Sequence, residues 1–308
     1  MRLRALGVLV ASAAIALTAC SSGDASSGSS GGGSVTIATT NFSETKLLAN
    51  MYQQVLEKNG VKASIKELTT REVIVPALES GEVQATPEYL GSFAEFINKQ
   101  VNGPSAPQIA TGDAAATYAA AKPLAASKQI SLLTPSPAQD QNAFAVTADF
   151  AKANNLKTLS DLAAWSQTNA VNLGGPPECP QRPFCQPGLE QTYGMKIASF
   201  TPLDAGGPLT VQALTQGKIN LGLVFSSSGS IQSNNLVLLT DDKNLQTAEN
   251  ITPAVSTPAA SETVTKALDS VSAALTTDEL QSLNQQVEVD RKNPKTVAAE
   301  FLKSKGLI

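Results

Sequence analysis

From Val35 onward the chain alternates between short apolar strands and amphipathic helices, and this alternation limits the possible fold more than any other feature. Val35–Thr39 reads as a strand, Glu44–Lys58 as an amphipathic helix closed by Asn59-Gly60, and Val61–Leu68 as a second strand. The pattern resumes after Gln141 and runs to about Leu239, while Ser261 to Leu307 reads as helices starting near Thr277-Asp278 and Asn293-Pro294. Such alternation predicts α/β architecture with largely parallel sheets. An internal echo divides it in two. Val75-Pro-Ala-Leu-Glu-Ser-Gly81-Glu-Val83 is matched 136 residues later by Val211-Gln-Ala-Leu-Thr-Gln-Gly217-Lys-Ile219. Each copy is a helix end, a glycine cap and a short strand, and eight residues past each glycine stands an aromatic, Tyr89 or Phe225. Open α/β sheets bind ligands beyond the carboxyl ends of their strands. Two lobes of similar build, each presenting an aromatic there, make a cleft.

Composition narrows the chemistry. The 308 residues contain no histidine, which excludes Ser–His and Cys–His nucleophiles, histidine general bases and His-ligated zinc. A net charge of −4 lacks the basic surface that nucleic-acid binding needs. Asp241-Asp242 is an adjacent carboxylate pair on a turn, where side chains point apart, and Ser226-Ser227-Ser228-Gly229 has no nucleophile elbow. The reading is a binder and not an enzyme, without metal or cofactor.

The N-terminus reads as an address and an anchor. Arg2 and Arg4 precede an apolar run from Leu6 to Leu17, a secretory signal over residues 1–19 and too short for a span of about 20 apolar residues. Leu17-Thr18-Ala19-Cys20 resembles a bacterial lipobox, in which Cys20 takes a lipid and becomes the first mature residue. Acyl chains such as palmitate then hold the protein at the extracytoplasmic face of the cell membrane. Residues 20–34 supply a Ser/Gly tether, and loss of Arg2 and Arg4 takes the net charge from −4 to −6.

Several segments in fixed order carry a family resemblance: Asn41-Phe42-Ser43-Glu44 after a strand, Gly81-Glu82-Val83, Pro87-Glu88-Tyr89-Leu90-Gly91-Ser92, Pro187-Gly188-Leu189 with Tyr193-Gly194, and Leu239-Thr240-Asp241-Asp242-Lys243. Over Val35 to Leu307 the chain resembles the glycine betaine/choline/carnitine-binding proteins of osmoprotectant ABC importers. The resemblance implies a type II periplasmic-binding-protein fold, two α/β lobes with a ligand cleft and two hinge crossovers near Pro137–Gln141 and Thr240–Ala248. Lobe I would take residues 35–139 and 246–308, and lobe II residues 140–245. It implies a monomer that captures a small molecule by lobe closure and delivers it to an ABC permease and its ATPase.

A quaternary ammonium has no proton to donate and is recognised by aromatic faces, at about 0.5–2 kcal/mol per ring. Members of the family typically use four tyrosines. Carried over by motif, these positions are Tyr89, Phe144, Phe225 and Glu249, so two rings lack the hydroxyl and one position holds an acid. Arg182 stands where the family places an arginine for the ligand carboxylate, and Thr40, beside Asn41, replaces a lysine that some members carry. Cys179 and Cys185 flank Arg182 and are expected to form a disulfide outside the cytoplasm. The incomplete cage leaves a second reading open, the same transport role with an apolar or aromatic ligand; a ligand sensor on the same fold and a histidine-free lipoprotein enzyme stand behind it. The lipobox yields the first prediction. Replacing Cys20 by Ala moves the protein from the membrane fraction to the soluble fraction, as fractionation and immunoblotting read it; an unchanged distribution removes the anchor.

Overall fold

The computed structural model describes residues 34–308, so the signal peptide, Cys20 and nearly all of the tether lie outside the described residues. The expected alternation is present as two five-stranded sheets. The first contains β1 (Val35–Thr39), β2 (Ala63–Glu67), β3 (Ala85–Tyr89) and β4 (Ile130–Leu132), and the second contains β5 (Asn142–Thr147), β6 (Val171–Gly175), β7 (Ile197–Pro202), β8 (Leu221–Phe225) and β9 (Leu236–Leu239). A late strand, β10 (Ile251–Ser256), returns to the first sheet. The orders are β2-β1-β3-β10-β4 and β7-β6-β8-β5-β9, which are the same order twice. In each sheet one strand runs antiparallel to its neighbours, β10 against β3 and β4, β5 against β8 and β9.

The internal echo has a structural counterpart. The helices Arg71–Ser80 and Pro208–Thr215 precede β3 and β8, the third strands of their respective repeats, and Gly81 and Gly217 both take left-handed φ values, 74° and 68°. A side chain with a Cβ is strained in that region, whereas glycine ends the helix there without penalty. Tyr89 and Phe225 are the last residues of the strands that follow.

Both sheets are covered on their two faces by helices, as parallel sheets require. The helix Ser43–Lys58 packs through Leu47, Leu48, Tyr52 and Val55 against the C-terminal helices Glu262–Ala274 and Pro294–Ser304, which contribute Leu268, Val271 and Leu302 to the same core. The helix Thr277–Asn284 begins at a capping box between Thr276 and Glu279, and Pro294–Ser304 is capped by Asn293, so both expected starts fall at real caps. No helix among the described residues is long and apolar enough to cross a membrane.

The chain passes between the sheets twice, from β4 to β5 and from β9 to β10, and the two passing segments hydrogen-bond to each other. The Asp140 amide donates to the Glu249 carbonyl at 3.0 Å and the Ile251 amide to the Ala138 carbonyl at 3.0 Å, around a bridge between Gln139 and Asn250. A second seam lies beside them. Side-chain amides of Gln281 and Asn284, from the C-terminal helices, donate to the Ser226 and Ser227 carbonyls just past β8. Gly229 lies so close to this helix that an added Cβ would come within 2.3 Å of the Gln285 backbone nitrogen. Gly229→Ala therefore has to spread the seam. An unfolding titration should register about 1–3 kcal/mol of destabilisation, the usual range for overpacking; a variant as stable as the parent would mean that the seam is slack.

Candidate functional site

A cavity of about 510 Å³ opens between the two sheets, beside the paired crossings. Tyr89, Ser92 and Glu95 reach it from the first sheet and the helix after it, Phe225 and Asn142 from the second sheet, and Asp140 and Glu249 from the crossings. Tyr89 is both the end of β3 and the residue preceding the helix Leu90–Asn102, and it offers that helix no side-chain cap. Glu249 supplies the cap from the other crossing, accepting from the Ser92 amide at 2.9 Å and the Ser92 hydroxyl at 2.8 Å. Gly91 allows this approach, because a Cβ there would stand 3.0 Å from Glu249 Oε1. Burial pushes the Glu249 carboxyl above the ordinary carboxylate range, against the opposing pull of the Ser92 hydrogen bonds and the Arg71 charge.

Tyr89 is held from behind. Its hydroxyl donates to Glu44 Oε1 at 2.7 Å, and burial, with the Glu44 charge next, pushes the phenol well above its usual value. Glu44, in the first turn of Ser43–Lys58, is fully buried and also accepts from Asn284 Nδ2 at 2.6 Å. Burial, and then the nearby Asp140 charge, push its carboxyl up to about 8. Beneath β3, Arg71 grips Glu88 through two nitrogens at 2.7–3.1 Å, so this cation is already paired.

Three positions carried over from the resemblance line this cavity, namely Tyr89, Phe225 and Glu249. The others sit elsewhere. Phe144 is 1% exposed and belongs to the apolar core of the second sheet, with Leu173, Leu223 and Leu239. The cause is its place in the strand. Phe144 pairs with Leu223 and Leu239 inside a sheet covered on both faces, whereas Asn142, at the strand end, pairs with Phe225 and reaches the cavity. Arg182 follows the short turn Cys179–Gln181 on the disulfide loop that Cys179 and Cys185 close. Its side chain is 68% exposed and faces Glu178 at 4.0 Å, while Phe184, two residues on, lines the cavity. Thr40 turns to the Thr45 hydroxyl at 2.9 Å and lines a smaller space behind Tyr89, and the exposed Asn41 accepts from Lys46 Nζ.

Sequence reasoning passed over Ser92 and Glu44, although both stand in the quoted motifs, because each looks like an ordinary helix start. Nothing in the local sequence marks Asp140, which gains its place only when the crossings pair. The groups weighed for catalysis are committed to structure. Asp241 accepts from the Tyr193 hydroxyl and from the Leu245 and Gln246 amides, Asp242 accepts from the Ser160 amide, and the Ser226 hydroxyl joins the Gln141 amide to the Gln139 carbonyl.

Two paired crossings, duplicated sheets and a cavity between them define the type II class of extracytoplasmic binding proteins. The sequence comparisons agree. The family model for the substrate binding domain of the ABC-type glycine betaine transport system matches residues 33–304. The glycine betaine-binding protein YehZ of Escherichia coli (strain K12) is 32% identical over 273 residues, which is 85% of this chain and 88% of that protein. The structure of apo YehZ superposes with a TM-score of 0.78 at 28% identity, covering 89% of this chain and 99% of that one. A glycine betaine/carnitine/choline ABC transporter structure shares the fold with a TM-score of 0.80 at 23% identity, covering 89% of this chain and 99% of that one. The chain belongs to the family of substrate-binding proteins of ABC-type glycine betaine transport systems, which are transport components and not enzymes.

The placement of the two phenylalanines separates their effects. Phe144→Ala removes a core ring and is expected to cost about 3–5 kcal/mol in a denaturant titration. Phe225→Ala, at a ring 36% exposed, should cost less than about 1.5 kcal/mol. Equal losses would contradict the assignment of one ring to the core and the other to the cleft.

Proposed function

We propose that this protein captures a small quaternary amine of the glycine betaine, choline and carnitine class by closing its two lobes, 35–139 with 246–308 and 140–245, over it. The observation that carries the reading is that Tyr89 and Phe225, each at the carboxyl end of the third strand of its own sheet, line one cavity together with Asp140 and Glu249. Aromatic faces attract a cation that cannot donate a hydrogen bond, and the carboxylates add favourable charge. A ligand touching both lobes stabilises the closed form by its difference in affinity between the open and closed states. The closed form then meets an ABC permease, whose ATPase drives transport, while a lipid on Cys20 keeps the monomer near the membrane at high local concentration. The protein needs no cofactor for this and performs no chemistry on its cargo.

A second reading has its own support. With Phe144 in the core and Arg182 in solvent, the cleft lacks two of the carried-over groups, one aromatic ring and the arginine. A neighbouring cavity of about 650 Å³ lies between Phe42, Val211, Phe225 and Val289, and it suits a flatter, apolar or aromatic ligand. Calorimetry with glycine betaine, choline and neutral aromatics separates the two. The quaternary-amine reading predicts saturable heats for an amine, weakened at least tenfold by Tyr89→Ala, about 1.4 kcal/mol. Heats from neutral aromatics alone, or binding unaffected by Tyr89→Ala, would favour the second reading.

A further inference from the structure

The floor beneath Tyr89 contains more negative charge than its surroundings neutralise. Glu44 is 0% exposed, and both of its oxygens are engaged, one by the Tyr89 hydroxyl and the other by Asn284 Nδ2. The charged and titratable groups around it come from three elements. Asp140 faces it from the first crossing and Tyr89 from the end of β3, while Glu288, in the turn Gln285–Val289, feels the Asp140 charge. Among the described residues neither Glu44 nor Asp140 has an ion-pair partner within 4.0 Å, and the cation in the cavity that Asp140 lines is Lys99. Glu88, which bears on Tyr89, is taken up by Arg71.

Hydrogen-bond counting reaches the same point independently. Asp140 Oδ1 and Asn284 Oδ1 are both buried with no donor. Asn284 has spent its two amide hydrogens on Glu44 and on the Ser227 carbonyl, and Ser227 lies beside both carboxylates. Ser227 donates toward both carboxylates, but Asp140 Oδ1 and Asn284 Oδ1 still go without a donor, so the cluster remains richer in acceptors than in donors. Two carboxylates largely withdrawn from water and without an ion-pair partner relieve their repulsion by holding one proton between them. Burial raises both groups, with Glu44 reaching about 8, so the proton is present at neutral pH.

Asp140 also lines the ligand cavity, next to the Tyr89 ring. We propose that Glu44 and Asp140 share one proton beneath Tyr89, and that a quaternary ammonium seated on that ring displaces it to solvent, so that capture exchanges a cation for a proton. This rests on the quaternary-amine reading above. The bound cation supplies the positive charge that the cluster lacks and favours the ionised pair, so the proton passes to bulk water. No covalent bond changes. Glu44 acts as a positioning residue, since it holds the Tyr89 hydroxyl and reaches the ligand only through that ring.

The sign follows from linkage. Binding that releases a proton strengthens as pH rises, by up to about tenfold per pH unit, and levels off once the free pair has ionised near 8. The test is calorimetry of choline chloride binding to the full chain at pH 7 in phosphate and in Tris, whose ionisation enthalpies differ, with affinities then followed from pH 6 to pH 9. We expect an apparent enthalpy that depends on the buffer and corresponds to the release of up to one proton per choline. Affinity should rise to about pH 8. Glu44→Gln and Asp140→Asn, each checked for folding by circular dichroism, should abolish the release and flatten the profile. Buffer-independent heats with a flat profile in the parent protein overturn the exchange but leave amine binding standing, and so does undiminished proton release in both variants. If choline produces no heat at all, the quaternary-amine reading fails and the exchange fails with it.

Discussion

The antiparallel contact between the two crossings is the constraint on which the cleft depends. The chain leaves the first sheet once and returns once, and the hydrogen bonds between Asp140 and Glu249 and between Ala138 and Ile251 tie those passages together. They fix where the two sheets meet, and they bring two carboxylates remote in sequence to the same floor. Everything that gives the cavity its chemistry is hung from this point. Tyr89 enters from one strand end and Phe225 from the other, and Glu249 caps the helix that begins at Tyr89.

In the proposed reading the cleft combines two kinds of recognition that suit a cation. Rings provide a negative face without asking for a hydrogen bond, and partly desolvated carboxylates provide long-range attraction. Of the cationic side chains near the cleft, Arg71 is committed to Glu88 and Arg182 lies in solvent with Glu178, while Lys99 lines the cavity itself.

Much of the fold was legible in the sequence because it follows from periodicity and from punctuation. The alternation from Val35, the caps at Thr276 and Asn293 and the duplicated helix–glycine–strand unit all act locally, and each appears close to where the residues imply. Carried-over positions line the cavity where the motif residue ends a strand or, like Glu249, stands on a crossing. Tyr89 and Phe225 meet that condition, whereas Phe144 lies two residues inside β5, where both faces of the sheet are covered and a ring can only be core. Arg182 lies away from the cavity for a related reason. The short disulfide loop turns its side chain outward and brings Phe184 to the cavity instead. Asp140 and the buried role of Glu44 could not be read at all, because both arise from contacts between segments about 100 residues or more apart.

A crystal structure of the protein grown with choline would show whether a quaternary amine sits between the two sheets against Tyr89. The account predicts the quaternary nitrogen within about 6 Å of the Tyr89 ring centroid, with Phe225 on its other side. A ligand seated in the cavity between Phe42 and Val289, or one that leaves Tyr89 untouched, would contradict it.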